Sequence, residues 1–402
     1  HGRHHWLAKR GDKTGIIAFV SDHDKHIANR TLNLLPKDVP TVRFDLKGDI
    51  TACLVQALYY SLVITGDAGA ARGIDPGQPG VPDFGRKLYS LKLSRMRRTF
   101  PDANASAQDM LAIRRKAMRS TEDLAAERNF EIWLDRLSEF KKNLFSATYS
   151  GIVLDYDGTV VNTNARLSPP SERMGALLTN IAQNAFLGIA TGRGQSARRD
   201  LQTVLPQSLW KKVLVGYYNA SVIASLVEDE SPAPSNEAGP ALANFAKLLR
   251  GDLKLSAWCE QEDRRTQLTL SPKGSTSSFE IWRRVCELTA NADEHSVKIV
   301  RSGHSIDVVE RATSKRDIVK ALEELAGSGP LLVIGDRGRW PGNDHELLST
   351  PYSLSVDEIS GAPQSCWALA PAGLRGASAL EFYLKALEPA NKGLRFKKGA
   401  FD

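Results

Sequence analysis

The chain has 402 residues, too many for one ordinary core, and this length predicts two or three domains. Hydrophobic residues make up 42% and charged residues 25%, as in a soluble globular protein. The four cysteines lie far apart without a CxxC pair, which argues against a zinc site or a disulfide framework. This cysteine usage favours a reducing, cytoplasmic location.

The net charge of +7 is concentrated in the first part of the chain. Residues 1–150 contain 24 Lys and Arg against 17 Asp and Glu, whereas residues 151–402 contain 29 of each. The segment 86–119 alone contains ten basic residues and two acidic ones. Such a segment can bind nucleic acid or another polyanion. A solvated helix face or a subunit contact is the favoured interpretation.

Residues 1–95 predict a small α/β unit. Strand-like runs at 15–21 and 41–46 alternate with helical patterns that start near His23 and Asp49, which predicts a parallel sheet covered by helices. The apolar run 52–65 is too short to span a bilayer and predicts a buried helix, so we expect no membrane association. Because two strands leave edges and apolar faces uncovered, we expect this unit to form a homo-oligomer or to dock on a partner segment.

Residues 96–147 predict a helical linker, since apolar residues recur there at helical spacing among many charges.

A second α/β pattern, with a core over 148–226 and 311–402, fills the rest of the chain. Its expected strands are 150–155, 186–191, one within 213–224, and 331–335, and its expected helices are 171–184, 195–204 and 314–326. The intervening region 227–310 predicts an inserted αββαββ cap. Its expected helices lie near 240–250 and 278–290, and its expected strands near 254–259, 265–270, 297–301 and 304–309.

The motif LDYDGTV at 154–160 places Asp155 and Asp157 on one side of an extended strand. Two carboxylates beside a divalent cation can supply the anionic nucleophile and the acid that phosphoryl transfer needs. In FLGIATGR, Thr191 offers a hydroxyl to a phosphoryl oxygen. In SKRDIVK, Lys315 lies at a helix start, where its ammonium and the helix dipole both favour an anion.

The segment LLVIGDRGRWPGNDH ends a strand at Asp336 and continues to Asn343 and Asp344. These side chains are oxygen ligands suited to Mg²⁺. All four motifs occur at strand ends or at a helix start, which is where ligands bind in open α/β sheets.

In order, spacing and strand context, these motifs resemble those of the haloacid-dehalogenase-like hydrolases, over about residues 148–402. The insertion between the second and third motifs is similar to the subgroup with an αββαββ cap, which includes many sugar phosphatases. The resemblance implies a Rossmannoid parallel sheet, Mg²⁺ as cofactor, and phosphomonoester hydrolysis through an aspartyl-phosphate intermediate.

By position, the resemblance implies that Asp155 is the nucleophile and a metal ligand. Asp157 would be the acid and then the base, with its carbonyl also on the metal. Thr191 and Lys315 would bind the transferring phosphoryl group, and Asp336 would hold the metal.

The segment RGRWPG departs from the family, because it separates Asn343 and Asp344 from Asp336. Whether these two residues complete the metal shell or orient Lys315 therefore stays open. Two substrate-binding residues complete the predicted site: Arg193 of ATGR, and Asn219 of VGYYNASV, a segment that resembles an asparagine-containing strand of the subgroup.

Residues 67–93 resemble the closing segment of a sugar isomerase (SIS) domain, with Lys87 at the position of that segment's lysine. His1-Gly2 resembles the histidine-glycine pair that precedes the second half of such a domain. The resemblance implies that residues 1–95 are the later part of such a domain, whose catalytic glutamate and phosphate loops would lie upstream. It also makes Lys87 a substrate-binding candidate.

The leading functional hypothesis is a phosphatase for a small phosphorylated metabolite, most favourably a sugar phosphate. A nucleotide or nucleic-acid end phosphatase guided by segment 86–119 is the alternative. A third hypothesis is a sugar-phosphate sensor or scaffold that assembles through the SIS-like part.

Overall fold

The computed structural model describes residues 15–73, 105–120, 123–124, 129–228, 240–264, 266–290, 296–327 and 329–401. The chain divides at residue 100 into two compact units, and each is described by itself. His1-Gly2, Lys87 and the basic residues of 86–104 lie outside the described residues, so the predictions made for them stay predictions.

The first unit contains two strands and two helices in the predicted alternating order. They are β1 (Ile16–Ser21), α1 (Lys25–Asn33), β2 (Thr41–Leu46) and α2 (Ile50–Arg72). The strands are parallel, with Ile16 opposite Thr41. Phe44 stacks on Phe19 and Tyr60, with ring centroids 5.6 and 5.1 Å away, so aromatic contacts join α2 to the sheet.

Helix α2 is not the buried helix that the sequence predicted. Its N-cap is Asp49, whose side chain accepts from the Ala52 N–H at 2.8 Å, and it ends at Gly73 in the left-handed region. Only 6% of its most apolar window is buried, because a two-stranded sheet is too narrow to cover 23 residues. By length and composition alone, it is the one helix among the described residues that could cross a membrane.

The second unit is built on a six-stranded sheet, which confirms the predicted fold class. In sheet order the strands are β12 (Ser353–Glu358), β11 (Leu331–Arg337), β3 (Gly151–Asp155), β4 (Phe186–Ala190), β5 (Val213–Tyr217) and β6 (Val222–Ser225). All pair in parallel except β6, which is antiparallel to β5. The helices that lie between or after these strands in the chain are α5 (Glu172–Asn184), α6 (Gln195–Val204), α10 (Asp317–Ala326) and α11 (Gly376–Lys385).

The predicted linker is, over its described part, integral to this core. It contains α3 (Ala107–Ala117) and α4 (Phe130–Ser146), and Ile113 and Leu144 are fully buried in the same apolar cluster as the sheet. Lys116 is also buried, where its Nζ donates to the carbonyls of Ser365 and Cys366 at 2.5 and 2.9 Å. Burial lowers the pKa of Lys116 to about 8. The amphipathic pattern of these helices therefore reflects packing on the core.

The cap forms a four-stranded antiparallel sheet with three helices. Its elements are α7 (Pro240–Arg250), α8 (Leu253–Trp258), β7 (Cys259–Arg264), β8 (Gln267–Pro272), α9 (Ser278–Thr289), β9 (Val297–Arg301) and β10 (Ile306–Glu310), with strand order β7-β8-β10-β9. The strand predicted at 254–259 is wrong, because that segment is helical. Asp252 caps it by accepting from the Leu255 N–H at 2.9 Å, and the strand begins only at Cys259. A hairpin of β13 (Leu387–Ala390) and β14 (Gly393–Phe396) closes the unit.

Candidate active site

Three buried carboxylates meet at the carboxyl edge of the main sheet. Asp155 ends β3, Asp336 lies near the end of the neighbouring strand β11, and Asp344 lies on the loop that follows. Oxygen atoms from the three lie within 4.8 Å of one another. The turn after β3 allows this approach because Gly158 has φ +93°, and a Cβ there would lie 2.2 Å from Oδ2 of Asp336.

Lys315 is the cation of this cluster and lies just before α10. Its Nζ donates to Oδ1 of Asp155 at 2.5 Å and to Oδ1 of Asp344 at 2.7 Å, and all three side chains are almost fully buried. Despite burial, the two carboxylates raise the pKa of Lys315, so it stays protonated. Arg337 adds a second cation, with its Nε 3.2 Å from Oδ2 of Asp336, so the three carboxylates outnumber the positive charges beside them.

Asp344 uses both carboxylate oxygens in binding other protein groups. Oδ1 holds Lys315, and Oδ2 accepts from the backbone N–H groups of Asp336 and Arg337 at 3.0 and 3.1 Å. Burial acts to raise the pKa of Asp344, but Lys315 and these donors hold it below its ordinary value. Of the two roles left open for this residue, the geometry favours orientation of Lys315.

Two oxygen atoms of the cluster are available to a cation. Oδ2 of Asp155 and Oδ1 of Asn343 are buried, and neither has a hydrogen-bond partner within the described chain. Burial, followed by the charge of Asp344, raises the pKa of Asp155 to about 8, and burial with Asp155 and Asp344 raises that of Asp336. A divalent cation would offset this repulsion, so the donor set fits Mg²⁺.

The RGRWPG segment reaches the cap instead of continuing along the site. The N–H of Arg301 on β9 donates to the carbonyl of Pro341 at 2.8 Å, and the N–H of Asn343 donates to the carbonyl of Arg301 at 3.1 Å. This pair of backbone bonds accounts for the extra residues between Asp336 and Asn343.

Asp157 is paired with Arg193 in this structure. The Nε of Arg193 donates to Oδ2 of Asp157 at 3.1 Å, and its Nη2 contacts Oδ1. Asp200 accepts from Nη1 of the same arginine at 3.3 Å, and the ring of Tyr156 lies 5.1 Å from the guanidinium carbon. The sequence analysis did not single out Asp200, which lies outside the motifs, or Tyr156, which lies within LDYDGTV between the two aspartates.

Thr191 lies directly after β4 and is fully buried. Its Oγ1 accepts from the Arg193 N–H at 3.0 Å and donates to Oδ2 of Asp157 at 3.5 Å. Asn219 contacts the cap. Its Nδ2 donates at 2.9 Å to Oε1 of Gln267 on cap strand β8. Gln267, and not Asn219, lines the cavity that lies above the carboxylates.

A cavity of about 580 Å³, here called the catalytic cavity, opens above these groups. Asp155, Asp157, Arg193, Lys315 and Asn343 line its core side. The cap contributes hydroxyl, amide, imidazole and carboxylate groups, from Glu262, Gln267, Thr269, Ser271, Ser302, His304, Ser305 and Asp307.

The polar cap residues form a hydrogen-bonded row. Gln267 donates to Thr269 at 2.7 Å and to Asp307 at 3.1 Å. Sequence reasoning missed them, although β8 carries a period-two signal: Gln267 and Thr269 face the cavity, while Leu268 and Leu270 are buried in the cap core.

His304 lies at the same cap surface. Burial lowers its pKa to about 4, and the nearby cations Arg166, Arg193 and Lys315 act in the same direction, against an opposing contribution from Asp157. The imidazole is therefore neutral at neutral pH.

No protein-family model matches the chain, and no curated protein matches it in sequence. Among solved structures, the chain is similar to the C-terminal domain of trehalose-6-phosphate phosphatase from C. albicans, with 16% identity over 51% of this chain and 73% of that chain and a TM-score of 0.37. The sucrose-phosphatase from Synechocystis, solved with sucrose and phosphate, matches at 17% identity over 52% and 83%, with a TM-score of 0.38. A truncated IMP-nucleotidase from Plasmodium falciparum matches at 13% identity over 52% and 64%, with a TM-score of 0.40. Each match covers about half of this chain.

Proposed function

We propose that the second unit is a Mg²⁺-dependent phosphohydrolase of the haloacid-dehalogenase type, acting on a small phosphorylated metabolite. The observation that carries this proposal is the different environment of the two carboxylate oxygens of Asp155. Lys315 holds one of its carboxylate oxygens at 2.5 Å, while the other is buried without a hydrogen-bond partner beneath a polar cavity. Such a carboxylate can hold a cation through one oxygen and attack phosphorus with the other.

In the proposed reaction, an oxygen of Asp155 forms a bond to phosphorus as the bond from phosphorus to the leaving oxygen breaks. Asp157 gives its proton to that leaving oxygen. Asp157 then takes a proton from water, whose oxygen attacks the phosphoryl-aspartate and releases phosphate and free Asp155. Lys315 neutralises charge on the phosphoryl group throughout.

Mg²⁺, when bound, would offset the charge of the carboxylates and of the phosphoryl oxygens. Asp155, Asp336 and Asn343 would hold it through side-chain oxygens. Asp344 would keep Lys315 and the end of β11 in place, because both of its oxygens are already bound.

Arg193 must leave Asp157 before the acid step, because it contacts both carboxylate oxygens of Asp157. The phosphoryl group of an arriving substrate offers Arg193 an alternative anion in the same cavity. We propose that this exchange frees Asp157 only when a substrate is bound.

The leaving group is most favourably a sugar. Among the described residues that line the catalytic cavity none is Phe, Tyr or Trp, so the imidazole of His304 is the one ring there on which a nucleobase could stack. The row formed by Gln267, Thr269 and Asp307 supplies hydrogen-bond donors and acceptors for hydroxyl groups instead. A nucleotide or nucleic-acid end phosphatase is the second candidate.

A phosphate-release screen tests the proposal. The substrates are sugar phosphates, nucleoside monophosphates and oligonucleotides with 5′- or 3′-phosphates, each with Mg²⁺ or with excess chelator. Sugar phosphates should be hydrolysed with Mg²⁺ alone, and Asp155→Asn should abolish turnover because an amide of the same shape is not an anionic nucleophile. Asp317→Asn, on the exposed start of α10, is the matched control and should retain activity. Turnover by Asp155→Asn, or in chelator, would refute the mechanism.

For the first unit, we propose association with a second copy of the chain through α2. Leu54, Leu58 and Leu62 follow one another at helical spacing and are each more than 60% exposed in the unit. Light scattering of the full chain should show a dimer or larger assembly, and Leu58→Gln with Leu62→Gln should shift it towards monomer. A monomeric parent chain would contradict this proposal. We also expect no sugar isomerase activity from this chain.

A further inference from the structure

A second cavity, of about 780 Å³, lies between the cap and the loops that follow β11 and β12. Phe279 and Trp282 of α9 line it from the cap, and Arg339 and Trp340 line it from the RGRWPG segment. It shares no lining residue with the catalytic cavity. We propose that this arginine–aromatic pocket binds a nucleoside phosphate as a second, regulatory ligand.

The aromatic side chains of the pocket are unusually exposed for their size. Phe279 and Trp340 are 58% and 59% exposed, and the rings of Phe279 and Trp282 are tilted by 32° with centroids 5.7 Å apart. Exposed aromatic faces grouped around a cavity are typical of a site that holds another planar ring. The flat heterocycle of a nucleobase has this shape.

The charges around the pocket favour an anion. Its lining includes five arginines but only two acidic residues: Arg115, Arg301, Arg337, Arg339 and Arg375, with Asp357 and Glu358. Glu358 is shared by Arg301 and Arg337. Asp357 lies 3.6 Å from Arg375, whose side chain is 80% exposed.

Arg339 is the best candidate for direct contact with the anion. It is exposed, and within the described part of the chain it has no ion-pair partner. It adjoins Trp340 in sequence, so one short segment presents both a guanidinium and an indole to the cavity. Arginine binds phosphate through paired N–H donors, and its neighbour offers a face for the base.

The two cavities have different chemical linings. Among their described lining residues, the catalytic cavity is polar with the imidazole of His304 as its one aromatic ring, whereas the second pocket combines Phe279, Trp282 and Trp340 with five arginines. A volume of this order accommodates a small organic ligand. A ligand with both a ring and a phosphate therefore fits the second pocket better than either half alone.

Contacts from the pocket reach the catalytic site directly. Arg337 lines the pocket, and its Nε lies 3.2 Å from Oδ2 of Asp336. Arg301 also lines it and is bonded through its backbone carbonyl to Asn343. A bound ligand would contact the cap and the core together. It would also contact arginines that are bonded to Asp336 and Asn343, so its binding should alter turnover.

Calorimetric titration of the full chain tests the proposal. The Asp155→Asn protein is used so that the probe is not hydrolysed, and the probes are adenosine 5′-monophosphate, adenosine and inorganic phosphate. The monophosphate should bind at least tenfold more tightly than adenosine or phosphate. Arg339→Ser and Trp340→Ala should each weaken its binding at least tenfold. Both residues lie on the surface, so folding should be retained. Arg199→Ser is the matched control, because Arg199 is an exposed arginine of the catalytic cavity.

Four other results of the titration would overturn the proposal. Weaker binding in Arg199→Ser, with Arg339→Ser and Trp340→Ala unaffected, would place the nucleotide in the catalytic cavity. Equal binding of phosphate alone would remove the role of the aromatic rings. Absence of binding at millimolar concentration would remove the site. A single-stranded oligonucleotide that binds where the mononucleotide does not would identify a polymer ligand instead.

Discussion

The backbone N–H of Asn343 donates to the carbonyl of Arg301 at 3.1 Å, so the loop that carries a candidate metal ligand is bonded to the last residue of a cap strand. Side chains reinforce this connection. Arg301 contacts Glu358 of β12 at 2.9 Å, and Lys298 of β9 contacts Glu346 at 2.8 Å. Movement of the cap should therefore be linked to the position of Asn343.

We predict that Glu358→Gln loosens the cap. The change removes the charge that Arg301 and Arg337 share, and one charge-assisted contact of about 1.4 kcal/mol corresponds to about tenfold faster exchange. Hydrogen exchange should speed up in β9 and at the cap boundaries near residues 225 and 311. Beryllium fluoride, as a phosphate analogue, should slow exchange at those boundaries in the parent protein. Glu381→Gln, a surface ion-pair residue on α11, is the control. Identical exchange in β9 of all three proteins would contradict the link.

We predict that Asp157→Asn slows turnover by about 10²–10⁴-fold, the usual contribution of general acid–base catalysis. The amide keeps the shape of the side chain but cannot donate the required proton. The loss should be smaller for aryl phosphates than for sugar phosphates, because a good leaving group needs little protonation. Steady-state rates on both substrate classes provide the measurement, and an equal loss on both would exclude Asp157 as the acid.

We predict that Gly158→Ala disables the site through Asp336. The new Cβ would lie 2.2 Å from Oδ2 of Asp336 in a left-handed conformation, so stability should fall by about 1–3 kcal/mol and Mg²⁺ affinity should fall as well. Gly274→Ala is the matched control. Its φ is +56°, and no heavy atom lies within 4 Å of the new Cβ, so it isolates backbone strain. Thermal unfolding and Mg²⁺ titration of activity compare the two. A functional loss as large in Gly274→Ala would show that contact with Asp336 is not the cause.

We predict that His304 makes stability fall between about pH 6.5 and pH 4. Its pKa is lowered from an ordinary 6.5 to about 4 in the folded chain, so the unfolded chain binds the proton first as the pH decreases. The stabilisation is fully present above pH 6.5 and is lost as the pH falls through about 4. Thermal unfolding of the parent and His304→Gln over this range should give a steeper pH dependence for the parent. Parallel curves would show that His304 is not held neutral.

The sheet and the positions of its polar residues were predictable because they depend on local periodicity. Buried strands in a parallel sheet appear as continuous apolar runs, and Asp155, Thr191 and Asp336 come at or near their ends. The contact between Lys315 and Asp155 was also predictable, because both motifs were expected at the carboxyl edge of the sheet.

The remaining features depend on contacts between distant residues, which one sequence does not encode locally. The pairing of Asp157 with Arg193 and the double use of Asp344 required coordinates, since both are side-chain choices among several nearby partners. The exposure of α2 was missed because its apolar composition suits a buried helix. The sheet beside it has only two strands, and the number of strands in a sheet is a property of the whole unit. The α3 and α4 pattern likewise did not reveal which surface these helices cover.

The packing of Trp367 sets the limits of any minimal catalytic fragment. Its indole is fully buried against Trp133 and Phe140, with ring centroids 6.2 and 6.0 Å away, and the ammonium of Lys116 lies 5.3 Å from the ring. A shortened protein that started at residue 148, where the sequence motifs begin, would expose this indole and leave two carbonyls without their donor. Expression boundaries for the second unit alone therefore belong before residue 105.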